Sequence, residues 1–519
     1  MKRVSDSVGE IAQFKIFNQR MVLLTGDEAS KLFYRSSDEQ LDQSAAYKMM
    51  TPIFGEGIIF DAPNERKNEQ LKMLMPSLRM EAMRNHADKI MQEVDEMMAK
   101  WGSNGEVELV EEMKRLTINT ATHCLLGKEF RYELTDEFAD IYHDLERGVN
   151  PLAYNFPNLP IPAFIKRDKA RKKLHHLVGE IVKKRESQNE KSTDMFQLLI
   201  DTHYKDGSKL TTNEITGMLV GAIFAGHHTS SGTAAWVLLE LLKHPHQLQA
   251  VKAELDEVLG AKGEVNFDNL RLLPKLENTL KEVLRLHPPL IVLMRKVDEE
   301  LRFKQYNIHK GDMVWASPPV THRMNHLFTN PEVFDPDRYS SERAEDKNLM
   351  AYQPFGGGKH KCSGNAFAMF QIKAIFAELL RKYDFSLVDK PEEYVDDYGE
   401  LIVQPKSPCR IQYQLRSADS FTSEFGRHGK TQASSGCPAH QTKATTEKKA
   451  EKNHFEIKLD RQLCQGHAMC MGEAPDLFQV DDEGVLHIPN EQPNRKLLDK
   501  ALLAAGHCPN QAIKIINDK

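Results

Sequence analysis

Cys362 stands in the run Phe355-Gly356-Gly357-Gly358-Lys359-His360-Lys361-Cys362-Ser363-Gly364, a pattern F-x-x-G-x-x-x-C-x-G directly ahead of an amphipathic helical stretch. Its glycines let backbone approach a flat group without Cβ clashes. The free N–H groups and positive dipole end of a helix starting beyond Ser363 favour sulfur in its thiolate form. A single thiolate presented this way suits axial ligation of haem iron, onto which it pushes electron density that promotes O–O cleavage.

A second set of sulfur ligands lies near the C-terminus. Cys464-Gln465-Gly466-His467-Ala468-Met469-Cys470 has iron–sulfur spacing, except that His467 stands where a second cysteine is usual, and Cys508-Pro509 supplies a distant ligand. The segment resembles a small bacterial ferredoxin. In two-cluster ferredoxins a further cysteine precedes proline at the position of Ala474-Pro475, so the resemblance implies a single cluster here. Three cysteines fit a 3Fe–4S cluster, the reading favoured, whereas ligation by His467 would permit 4Fe–4S, since imidazole binds iron. A zinc site is the competing use of three cysteines, and Cys508-Pro509 speaks against it.

Upstream of Cys362, Glu282 and Arg285 are three apart on a helix that His287-Pro288-Pro289 must end, so their side chains share one face. Any exposed helix offers such a pair. Its weight comes from its place before Cys362 and from Phe334-Asp335-Pro336-Asp337-Arg338-Tyr339 between the two. With these companions the chain resembles the cytochrome P450 superfamily of haem-thiolate monooxygenases. The resemblance implies a mainly α fold with small β-sheets, haem b as cofactor, and a buried ion network of Glu282, Arg285 and Arg338 bracing the haem loop.

Phe224-Ala225-Gly226-His227-His228-Thr229-Ser230-Ser231-Gly232-Thr233-Ala234 looks like one branch of that superfamily, the sterol 14α-demethylases. So does Tyr47 followed by Thr51-Pro52-Ile53-Phe54-Gly55-Glu56-Gly57-Ile58-Ile59-Phe60-Asp61-Ala62. Within the branch Thr229 matches the threonine that manages protons for O–O cleavage. His228 stands where a carboxylate is more usual, and imidazole can relay protons near neutral pH. By position, Tyr47, Arg66, Arg295 and His360 are the implied contacts of the haem propionates, for which cationic and hydroxyl donors are suited. Phe54, Phe60, Ala225, Leu290, Val292 and Leu401 are the implied lining of an apolar sterol cavity. Met49 departs from the aromatic or branched residue common at its position, which bears on the sterol's C4 substituents.

The implied reaction is three successive oxidations of the 14α-methyl group of a sterol such as lanosterol, each using O2, ending in formate release. Electrons would come from the attached ferredoxin. With no flavin or nicotinamide segment in the sequence, an external NAD(P)H-dependent ferredoxin reductase is implied as partner. The whole looks like a sterol 14α-demethylase naturally fused to a bacterial-type ferredoxin. The alternatives are a haem-thiolate monooxygenase of another lipid, a fatty acid or terpenoid, and a redox sensor. Thr229 and an attached electron donor argue against the sensor.

The elements that must position these groups fill 519 residues, too many for one ordinary core. Three segments are expected: a haem-thiolate domain at 1–415, a Ser-, Thr-, Gln- and Lys-rich flexible linker at 416–453 holding an idle Cys437, and a small α+β ferredoxin-like domain at 454–519. The net charge of −6 gives no sign of nucleic-acid binding. The mean hydropathy of −0.52 argues against a membrane protein. The apolar stretch 215–242 is broken by His227-His228-Thr229-Ser230-Ser231 and reads as a buried central helix rather than a membrane span. Residues 1–24 are charged, so the membrane anchor of microsomal relatives is not expected, and a soluble, cytoplasmic bacterial enzyme is. Lys359, Lys361 and Lys373 are expected to attract the acidic C-terminal domain to the thiolate side.

Overall fold

A computed structural model of the chain describes residues 1–16, 18–188, 192–260, 263–399, 402–416, 454–461, 463–464, 469–481, 485–506, 508 and 512–517. The expected linker beyond Arg416, with Cys437, lies outside the described residues, as do His467 and Leu401.

Helix predominates in the larger part. α1 (Met80–Met98) buries Met83, Ala87, Ile90, Val94 and Met97 at alternating spacings of four and three, the stripe of a helix with one face in a core. α2 (Leu109–Ala121), α3 (Thr135–Glu146) and α4 (Pro162–Glu186) follow. α5 (Thr212–Lys243) opens with the capping box its sequence predicts. The Thr211 hydroxyl accepts the Glu214 N–H at 3.2 Å, and the Thr211 N–H donates to Glu214 Oε2 at 2.8 Å. Nearly every residue from Ser230 to Leu241 is buried, so the apolar stretch is a central helix, packed against α2 and α4. Among the described residues no helix is long and apolar enough to cross a membrane.

The short α6 (Phe267–Leu270) precedes α7 (Pro274–Leu286), which ends at His287 just ahead of the two prolines. α8 (Asn365–Lys382) starts after the Cys362 loop and buries Phe367, Ala374 and Ala377. Five strands, β1 (Ile11–Ile16), β2 (Gln19–Leu24), β3 (Leu41–Asp42), β5 (Leu293–Val297) and β6 (Met313–Ala316), form one sheet in the order β1-β2-β6-β5-β3. β2 and β6 run parallel, with Met21 opposite Met313, and the other pairs are antiparallel. β4 (Asn104–Glu108), β7 (Tyr383–Leu387) and β8 (Arg410–Leu415) make an antiparallel sheet with β8 central.

The C-terminal part is a separate small α+β unit. β9 (Glu456–Leu459) pairs antiparallel with β10 (Ile513–Ile516), and α9 (Met469–Glu473) packs on α10 (Leu498–Gly506). Phe455, Ile457, Phe478, Ala501 and Ile513 close its core.

Candidate active site and electron-transfer centre

The Cys362 loop is held at both ends by backbone. The Cys362 N–H donates to the Phe355 carbonyl at 2.9 Å, and the Lys361 N–H to the Gly358 carbonyl at 3.2 Å. Gly356 and Gly358 adopt φ of 71° and 64°, left-handed values that favour glycine. A Cβ on Gly358 would stand 1.9 Å from the Tyr34 carbonyl oxygen, so this glycine is required by the neighbouring chain as well as by its own turn. The Cys362 side chain is open to solvent-sized space yet sits deep among protein atoms. Burial pushes its thiol above the ordinary value, while the Gly364 N–H and the Lys361 charge pull it back toward thiolate.

Behind the loop lies the buried ion network. Glu282, Arg285 and Arg338 are all 0% exposed. Arg285 donates to Glu282 through Nε at 2.9 Å and Nη2 at 2.8 Å, while Arg338 Nε reaches the two oxygens of the same carboxylate at 2.9 and 3.0 Å. The second guanidinium is balanced by Glu345, 2.7 Å from Arg338 Nη1. Arg285 Nη1 also holds the carbonyls of His322 and Pro331. The brace then reaches the loop through His322, whose Nδ1 must donate to the Arg285 carbonyl at 3.1 Å, leaving Nε2 to accept the Gln353 N–H at 2.9 Å. Burial, with the charges of Arg285 and Arg323, holds His322 down to about 3.

The residues expected around haem propionates divide. Tyr47 and Arg295 are half-buried and buried respectively, and the Tyr47 phenol lies within electrostatic reach of Arg295. His360 pairs through Nε2 with Asp38, which Lys359 also holds, at 2.5 Å. Arg66 does not join them. Its guanidinium is 3.2 Å from Glu214 and lies over the Tyr204 ring, so it is spent at the start of α5.

Its neighbour Lys67, which the sequence reading passed over, is 1% exposed, and its Nζ has no hydrogen-bond partner among the described residues. Lys67 feels the charges of Asp38, Asp42, Lys359 and Arg295. Three cationic side chains, Lys67, Arg295 and Lys359, with the His360 imidazole, which burial holds below its ordinary value, share the carboxylates of Asp38 and Asp42. A buried ammonium with no hydrogen-bond partner is costly even with carboxylates nearby. The donor set thus calls for further carboxylates, which is what a haem brings.

On α5, Ala225 is exposed between half-buried Phe224 and Gly226, and a Cβ on Gly226 would meet nothing within 4 Å. That face of the helix is open. The Thr229 hydroxyl donates to the Ala225 carbonyl at 2.7 Å, and the Thr233 hydroxyl to the Thr229 carbonyl at 2.7 Å, within a helix that runs unbroken through this stretch. His228 Nε2 lies 2.5 Å from Glu146 Oε1, and His227 Nδ1 lies 3.3 Å from the same oxygen. Burial would raise Glu146, but the hydrogen bonds of the two histidines overcome it and bring the carboxyl down to about 2. The carboxylate missing at position 228 is thus supplied from the end of α3. No local pattern marked Glu146, because the match is made only by helix packing.

An aromatic ladder leads from the 51–62 stretch to α5. Tyr47 stacks on Phe60 at 4.9 Å, Phe60 on Phe54 at 6.1 Å, Phe54 meets Phe224 edge-on at 6.2 Å, and Phe224 lies 4.9 Å from Tyr142. Leu290 is 37% exposed and Val292 half-buried, both just before β5.

In the C-terminal unit, Cys464, Cys470 and Cys508 pack into one core. Burial, with the sulfurs of Cys508 and Cys464, pushes the Cys470 thiol up to about 12. Three cysteines gathered in one small core, whose thiolates a cation would stabilise, suit an iron cluster. The Cys508 sulfur also accepts the Ala512 N–H at 3.3 Å. Of the three lysines expected at the docking face, Lys359 is bound to Asp38, and Lys373 to Glu277 at 2.9 Å, within their own domain. Lys361 feels the Cys508 sulfur.

Residues 1–413 match the family Cytochrome P450, and residues 457–515 match the family 4Fe-4S single cluster domain. The chain is 47% identical to a sterol 14alpha-demethylase of Mycolicibacterium vanbaalenii over 81% of its own length and 93% of that protein. It is 45% identical to the sterol 14alpha-demethylase of Mycobacterium tuberculosis, covering 80% and 93% of the two chains. With the lanosterol 14-alpha demethylase of Bos taurus it shares 36% over 79% and 82%. Among solved structures, retinoic acid bound cyanobacterial CYP120A1 superposes with a TM-score of 0.72 at 22% identity, over 80% of this chain and 94% of that one. The chain belongs to the cytochrome P450 family, as a haem-thiolate monooxygenase joined to an iron–sulfur domain. Within that family it stands with the sterol 14α-demethylases.

Proposed function

We propose that this protein removes the 14α-methyl group of a sterol in three oxidations, with its own iron–sulfur domain as electron donor. Each round consumes O2, two electrons and two protons. The methyl becomes alcohol, then aldehyde, and in the last round leaves as formate while a C14–C15 double bond forms. The observation that carries this reading is the stacked ladder Tyr47–Phe60–Phe54, met edge-on by Phe224, which runs to the open Ala225–Gly226 face of α5. A row of stacked rings suits a rigid, apolar polycycle better than a flexible chain.

Haem held by Cys362 supplies the activation of O2. In this reading Lys67, Arg295, Tyr47 and His360 hold its carboxylates, Lys67 taking the place expected for Arg66. Phe54, Phe60, Ala225, Leu290 and Val292 orient the sterol, and Leu401 completes the lining. Thr229 keeps its hydrogen on the Ala225 carbonyl and offers its oxygen to the open face, so it can accept and pass on a proton. His228 and the ionised Glu146, both partly exposed, connect that face to solvent and bring protons in.

Three convergent cysteines support a 3Fe–4S cluster. An external NAD(P)H-dependent ferredoxin reductase recharges it, the segments 1–415, 416–453 and 454–519 act as enzyme, tether and donor, and the protein works in the cytoplasm. Incubation of the purified protein with lanosterol, NADPH and a surrogate ferredoxin reductase, followed by gas chromatography and mass spectrometry, tests the proposal. A 14-demethylated diene with stoichiometric formate is expected. Intact lanosterol, from protein whose reduced haem gives the thiolate-type carbon monoxide spectrum, would reject this substrate.

A further inference from the structure

The iron–sulfur unit touches the larger domain at a charged contact that neither the sequence reading nor the reaction accounts for. Arg271, at the end of α6, pairs with Glu473, at the end of α9, and their side chains are 24% and 5% exposed. A carboxylate so withdrawn from water needs its counter-charge, unlike a surface pair, which contributes little. Glu473 lies three residues beyond Cys470 on the same short helix, so whatever holds Glu473 also places a cluster ligand. α9 also contacts α1.

On the other side, Arg271 lies 5.9 Å from the Phe267 ring, and Phe267 packs at 5.6 Å against Phe370 of α8, the helix that leaves the Cys362 loop. A route thus runs from the cluster domain to the helix that leaves the thiolate loop, through Glu473, Arg271, Phe267 and Phe370.

We propose that the Arg271–Glu473 pair forms a docking clamp that seats the iron–sulfur domain against the larger domain for electron transfer to haem. The inference rests on the reading of that domain as the donor. In the step served, the reduced cluster gives one electron to ferric haem, the cluster is oxidised, the iron becomes ferrous, and no proton moves at the clamp. Arg271 and Glu473 are positioning residues, since neither is a ligand of either iron centre.

The test is stopped-flow reduction of the full-length, haem- and cluster-loaded protein by NADPH and a surrogate reductase under carbon monoxide. Cluster bleaching and the carbon monoxide band are followed separately. Arg271→Glu and Glu473→Arg should each leave cluster bleaching at the wild-type rate but slow haem reduction at least about tenfold, the tether limiting the loss. The double exchange R271E/E473R should return haem reduction to within about threefold of wild type. Reduction by dithionite verifies in each variant that the thiolate spectrum is intact.

Wild-type haem reduction in both single variants, or a double exchange as slow as either single, would overturn the clamp. A wild-type protein whose cluster bleaches while its haem stays ferric would instead refute the donor reading.

Discussion

His322 gives the brace behind the haem loop a pH dependence that can be isolated. Its ring is fully buried and works only as a neutral tautomer, donating to the Arg285 carbonyl and accepting the Gln353 N–H. Its folded value near 3 lies below the unfolded value of 6.5, so the unfolded chain takes up the proton first. The stability it contributes is complete above about pH 6.5 and is lost as pH falls toward 3, by about 1.4 kcal/mol per unit. Between about pH 7.5 and about pH 5 the loss is therefore about 2 kcal/mol. His322→Asn retains a donor for Arg285 but leaves the Gln353 N–H without an acceptor, at a cost of about 1–3 kcal/mol near neutral pH. The variant lacks the titrating group, so its disadvantage should shrink by about 2 kcal/mol on acidification. Urea unfolding followed by loss of the thiolate-type carbon monoxide band, in both proteins at both pH values, measures this difference, and other titrating groups cancel in the subtraction. A gap that stays constant between the two pH values would refute the argument.

Glu146→Gln should lower the turnover rate about 10- to 100-fold while sterol binding, read from the haem absorption shift, is retained. Thr229→Ala should leave NADPH consumption running while product per O2 falls about tenfold and peroxide accumulates, measured by parallel product and peroxide assays. Lys67→Met should act with opposite signs in two states. The haem-free protein gains about 1–3 kcal/mol, because a buried ammonium without a hydrogen-bond partner is gone, and the loaded protein loses haem to a globin acceptor about tenfold faster. A haem-free form destabilised by the change would argue that Asp38 and Asp42 already satisfy Lys67.

What could be read from the sequence is what short spacing carries. The Cys362 loop, the capping box at Thr211 and the pair Glu282–Arg285 are each set within a turn or two of chain, where backbone geometry alone decides which side chains meet. Arg338 was legible because its own run, ending in Tyr339, sits in the same buried cluster. Lys67 and Arg66 differ by one position on a helix, about 100° around its axis, and this rotation decides which cation faces Asp38 and which faces Glu214. Spacing along the chain could not distinguish them without knowing how that helix packs.

Glu146 and Arg271 show the same limit at longer range, and they bear on how the enzyme was assembled. Position 228 holds a histidine where a carboxylate is more usual, and read locally that is a loss of acid function. Packing of α3 beside α5 returns the acid through space, on a residue whose own neighbourhood is an unremarkable helix end. Likewise the lysines whose charge first pointed to a docking face are mostly consumed at home by Asp38 and Glu277, and the contact with the acidic domain passes to Arg271. A charge summed over a surface says which way two domains are drawn. Which pair of residues holds them is fixed by where opposite charges meet across the contact, shielded from water.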